Sequence, residues 1–135
     1  MNECVSPTAT LYLGDGEGGF AKANADLRGV SKSYSAIAHI DKDDHLDLLV
    51  TGVGDDADRL ATLYLGDGQG NFTKAGADLT GVERGSISVA DVNEDGNQDV
   101  LITGEPALVL SPTTTLYLGN GEGGFTEANA GLTAV

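Results

Sequence analysis

The sequence predicts an all-β chain built from four-stranded antiparallel repeats of about 52 residues, and three observations predict it. The hexapeptide Leu11-Tyr12-Leu13-Gly14-Asp15-Gly16 returns as Leu63-Tyr64-Leu65-Gly66-Asp67-Gly68 and again as Leu116-Tyr117-Leu118-Gly119-Asn120-Gly121, 52 and then 53 residues on. A second motif, Asp47-Leu48-Leu49-Val50-Thr51-Gly52, returns as Asp99-Val100-Leu101-Ile102-Thr103-Gly104, again 52 residues apart. Short apolar or alternating runs separate these motifs, and no segment sustains a helical period.

Each unit reads as four strands, A to D. In the last unit, Ser86-Ile87-Ser88-Val89-Ala90 alternates with period two and is strand A. Strand B is the partly β-branched run Val100 to Thr103. Strand C spans about Thr114 to Leu118, with Leu116 and Leu118 on one face and Tyr117 on the other. Strand D starts near Phe125, after a Gly-rich turn whose glycines supply the positive φ of a tight hairpin. Phe20, Phe72 and Phe125 are expected as core anchors between units. The extra residue of the second interval falls between Thr103 and Leu116, in a Pro-containing loop where an insertion is tolerated. A four-stranded unit recurring near this length is the signature of a β-propeller blade. The chain divides into a C–D half unit at 1–30 and complete units at 31–82 and 83–135, so one chain gives an incomplete ring.

The turn between strands A and B carries the chemistry. Asp91-Val92-Asn93-Glu94-Asp95-Gly96-Asn97-Gln98-Asp99 places five oxygen-bearing side chains at alternate positions, with Gly96 at the sharp turn. Such a loop repels itself unless a cation neutralises it. Ca²⁺ suits it, being hard and tolerant of irregular six- to eight-oxygen geometry. The expected ligands are the side chains of Asp91, Asn93, Asp95 and Asp99 and the carbonyl of Asn97. An EF-hand is excluded because the twelfth position holds Ile102 rather than Glu and both flanks read as strands. A plain Asx-rich turn needs only one or two such residues.

The first complete unit carries a degraded copy, His39-Ile40-Asp41-Lys42-Asp43-Asp44-His45-Leu46-Asp47. His39 replaces the first ligand, Asp44 replaces the turn glycine, and His45 takes the carbonyl position. Asp41, Asp43 and Asp47 stay in register. Three readings stand: a weaker Ca²⁺ site completed by water, a transition-metal site using both histidines with a carboxylate, or a metal-free turn.

Composition excludes several function classes. The net charge of −14 and pI of about 4.1 argue against nucleic acid and anionic membranes, and suit a cation-rich setting. No run of about 18 apolar residues exists to insert in a membrane, and Met1 leads directly into polar sequence in which no signal peptide is visible, as expected also of a fragment whose exported parent has lost its signal. Cys4 is alone, so no intrachain disulfide forms. Gly14 to Gly19 and Gly119 to Gly124 match the dinucleotide pattern G-x-G-x-x-G. That pattern needs a helix to receive phosphate, but Phe20-Ala21-Lys22 and Phe125-Thr126-Glu127 continue a hairpin, and Asn71 breaks the middle copy.

Asp-x-Asn-x-Asp-Gly-x-x-Asp at 91–99 with its apolar strand, together with Leu-Tyr-Leu-Gly-Asp-Gly-x-Gly-x-Phe at 63–72, resembles the FG-GAP/VCBS repeat family over nearly the whole chain. The resemblance implies integrin-α-like propeller blades, Ca²⁺ in the A–B loop, and extracellular or cell-surface placement. It also implies adhesion or the binding of a glycan or protein ligand. Propellers close with about four to eight blades, so two complete units are expected either to self-associate head to tail or to form part of a longer array. The expected function is a non-enzymatic calcium-binding repeat module. A purely structural repeat is the second reading. A propeller hydrolase or lyase is the third, and no Ser-His-Asp spacing or free carboxylate pair supports it.

Overall fold

The computed structural model describes residues 6–107, 111–128 and 130–133. Cys4 and part of the insertion after Thr103 lie outside them. The described residues contain ten strands and no helix. β1 (Tyr12–Gly14) and β2 (Phe20–Lys22) form a hairpin. β3 (Ser31–Ala38), β4 (Asp47–Val53), β5 (Arg59–Gly66) and β6 (Phe72–Lys74) form one four-stranded antiparallel sheet in chain order. β7 (Val82–Ala90), β8 (Asp99–Pro106), β9 (Thr113–Gly119) and β10 (Phe125–Ala128) form another. The sheets are blade-like meanders, and they do not close a ring.

The strands run further than the alternation implies. β7 begins at Val82, not Ser86, because the register shifts between Glu83 and Ser86. The same shift occurs between Ser31 and Tyr34 in β3. Lys32 and Arg84 hold positive φ at these two places, 47° and 52°. A bulge breaks the period-two signal, so the sequence pattern ends each strand early.

The core lies between the two four-stranded sheets. Leu49, Leu63, Val82, Val100, Ile102, Tyr117 and Ile40 are buried there, with Ala75, Ala77 and Leu79 of the β6–β7 linker packed against them. Tyr117 is buried in β9 while Leu116 and Leu118, on the other face, are partly buried. Phe125 packs against this core, and Phe72 is half-buried. Phe20 does not anchor a core: it is 73% exposed, because among the described residues no sheet covers the outer side of the β1–β2 hairpin.

Each Gly-rich hairpin turn is held by its Asp or Asn. Asp15 Oδ1 accepts the N–H groups of Glu17 and Gly19 at 2.8 and 2.9 Å. Asp67 does the same for Gln69 and Asn71, and Asn120 for Glu122 and Gly124. The first and last of these turns lead into β2 and β10, so the phosphate-binding reading has no helix to rest on.

Candidate metal centre

The two acidic loops join β3 to β4 and β7 to β8, and they lie side by side at one end of the sheets. A cavity of about 260 Å³ separates them, lined by His39, Asp41, Lys42 and Asp44 from one and by Gly96 and Asn97 from the other.

Asp47 and Asp99 anchor the loops. Both are fully buried at the first position of the second strand. Asp47 Oδ2 accepts the N–H groups of Ile40 and Asp41 at 2.7 and 3.1 Å, and its Oδ1 accepts that of Gly66 at 3.0 Å. Asp99 Oδ2 accepts the Val92 N–H at 2.8 Å and its Oδ1 that of Gly119 at 2.9 Å. One carboxylate therefore ties its own loop to the end of the third strand. The close approach requires glycine there: a Cβ on Gly66 would strike the Leu46 carbonyl, and one on Gly119 the Gln98 carbonyl.

In the loop 39–47, Asp41, Asp43 and Asp47 each offer a carboxylate oxygen, and the three oxygens lie within 4.8 Å of one another. Asp43 N–H bonds to Asp41 Oδ1 at 3.1 Å and His45 N–H to Asp43 Oδ1 at 2.9 Å, which folds the loop around the cluster. Asp44 takes φ 67° where the companion loop has Gly96 at 87°, so the turn survives the loss of glycine. Burial, followed by the hydrogen bond to Asp43 and the charges of Asp47 and Asp43, raises the Asp41 carboxyl above its ordinary pKa. The His45 N–H, followed by the bond to Asp41, lowers that of Asp43. Crowded acids of this kind are what a hard divalent cation relieves, and an all-oxygen set fits Ca²⁺.

The histidine rings do not join this carboxylate group. His39 Nδ1 donates to the His45 carbonyl at 2.9 Å, occupying the oxygen expected to face a metal. The His45 ring lies against Gly68. Neither histidine joins a group of three metal-capable side chains among the described residues.

The loop 91–99 keeps the fuller motif but spreads its acids. Asp91 accepts the N–H groups of Asp95 and Gly96 at 3.1 and 2.8 Å. Asn93 Oδ1 accepts that of Asp95 at 3.3 Å, and Asp95 Oδ1 that of Asn97 at 2.9 Å. The Asn97 N–H, ahead of several smaller influences including the Lys42 charge, lowers the Asp95 carboxyl pKa. Asp91, Asp95 and Asp99 do not converge within 4.8 Å as the acids of the companion loop do. The Asn97 side-chain oxygen is buried beside Gly121 with no hydrogen-bond partner.

Sequence reasoning missed two arrangements. Tyr64 Oη accepts the Arg28 N–H and Tyr117 Oη accepts the Thr80 N–H, both at 3.0 Å, so each tyrosine holds the linker of the unit before it. Repetition of the Leu-Tyr-Leu motif was the available signal. Buried Glu83 pairs with Lys32 Nζ at 3.1 Å and Arg59 Nη2 at 3.0 Å across the two sheets. Ser31 stands at the equivalent place in the first unit, so repetition gave no hint of it.

No described helix is long and apolar enough to cross a membrane. Neither a curated protein nor a solved structure matches the chain significantly. Residues 39–102 match the model of the FG-GAP-like repeat, a span running from one acidic loop through the other. That stretch carries an FG-GAP-like repeat.

Proposed function

We propose that the chain is a calcium-stabilised, non-enzymatic β-propeller repeat module that works outside the cell in adhesion or in binding a glycan or protein ligand, and that its copies associate head to tail. The observation that carries the calcium reading is the convergence of Asp41, Asp43 and Asp47 in a loop between two strands. Asp91, Asn93, Asp95, Asp99 and the Asn97 carbonyl are the second proposed ligand set. Bound Ca²⁺ would neutralise the loops and fix the turns, a structural role. The purely structural reading is favoured by Asp47 and Asp99, whose hydrogen bonds order the turns by themselves.

Calorimetric titration of the chelator-treated chain with Ca²⁺ tests the proposal. Saturable binding that is weakened by Asp43→Asn supports it. Absence of binding at millimolar Ca²⁺ overturns it and leaves the structural reading. A glycan array then separates a binding module from a scaffold.

A further inference from the structure

We propose that one copy grips the next through a third version of the tyrosine–linker latch, with Tyr12 of one chain accepting the Thr133 N–H of another while Leu132 packs beside it. This rests on the head-to-tail reading above and names its contact.

The latch is present twice within the chain. The linker Ala23-Asn24-Ala25-Asp26-Leu27 ends at Arg28, whose N–H reaches Tyr64. The linker Ala75-Gly76-Ala77-Asp78-Leu79 ends at Thr80, whose N–H reaches Tyr117. Leu79 packs on the inter-sheet core in the process, and Leu27 is half-buried.

Among the described residues, the first and last repeats each hold one unmatched half. Tyr12 stands at the tyrosine position in β1 but is 58% exposed, with Leu13 and Phe20 exposed beside it. At the other end, Ala130, Leu132 and Thr133 repeat the linker spacing, and Leu132 is 47% exposed. Thr133 occupies the donor place of Arg28 and Thr80. The bare tyrosine face and the bare linker thus have the same chemistry as the two faces already joined inside the chain. A second copy offers both in the required order. The contact is heterologous, and it repeats a tyrosine–linker hydrogen bond already made twice within the chain. It is apolar with one hydrogen bond between strongly acidic chains, so added salt strengthens it by screening their repulsion.

The test uses the full chain with Tyr12→Asp as a blocked head, Leu132→Asp as a blocked tail, and Tyr12→Phe as the conservative change. Mass is measured by sedimentation, and melting curves confirm that each exposed-site variant folds. The parent is expected to assemble, each aspartate variant to be monomeric, and their equimolar mixture to give a dimer, since one intact head and one intact tail remain. Tyr12→Phe is expected to weaken assembly without abolishing it. A parent that stays monomeric at high concentration overturns the head-to-tail reading and the latch with it, while leaving the calcium reading to its own titration. A parent that assembles together with variants that assemble equally, or with a mixture that stays monomeric, overturns the latch alone.

Discussion

The buried carboxylate of Asp99 accepts the main-chain N–H of Gly119 at 2.9 Å, joining the acidic loop to the hairpin turn at the same end of the sheet. The aspartate at the end of the motif therefore acts on the protein backbone.

Asp99→Ala leaves the Val92 and Gly119 N–H groups without their acceptor. At about 1–3 kcal/mol for each buried unsatisfied group, a loss of about 2–6 kcal/mol is expected. Urea unfolding in EGTA checks this. A loss seen only with Ca²⁺ present would return Asp99 to a pure ligand role.

Tyr117→Phe removes the acceptor for the Thr80 N–H while keeping the buried ring. The expected cost is about 1 kcal/mol with an unchanged denaturant slope. Equal stability of the variant and the parent would show that the latch contributes packing alone.

The fold was legible because its signals are local and recur: apolar alternation, glycine turns and the two motifs at one spacing. The bulges at Lys32 and Arg84 were not, since a register shift erases the alternation that marks a strand. The site was legible as a set of acids but not as a ranking. Side-chain identity favoured 91–99, yet the converging carboxylates are in the degraded copy, where Asp41 and Asp43 are linked through a backbone amide. Sequence spacing does not report whether an oxygen turns toward its neighbours or toward its own main chain.

Asp41→Asn is expected to act with opposite signs in the two conditions. The folded-state pKa of Asp41 is raised, so its contribution to stability is present below the unfolded pKa and is lost as pH rises through the folded one. At neutral pH without Ca²⁺, the ionised group opposes folding and its neutralisation raises the melting temperature. With Ca²⁺ the same change removes a ligand charge and reduces the gain on saturation, which is about 2.7 kcal/mol at one hundred times Kd. Calorimetric melts of both proteins in EGTA and in Ca²⁺ check both signs.

Glu83 gives the acid limb of the stability profile. Its pKa is lowered from 4.5, first by the hydrogen bond from Lys32 and also by Arg59. Its contribution is present above that unfolded value and is lost as pH falls through the lower, folded one. Glu83→Gln is expected to destabilise the chain at pH 7 and to flatten the decline at acid pH, as measured by unfolding at stepped pH. An unchanged acid limb would remove the triad as its origin.

The tyrosine latches give the chain a direction of dependence. The tyrosine of each four-stranded sheet is held by the linker that precedes that sheet. A protease nick at residues 76–79 would take the strap from Tyr117 and leave the Arg28–Tyr64 latch in place, so the loss of this hydrogen bond falls on the downstream sheet.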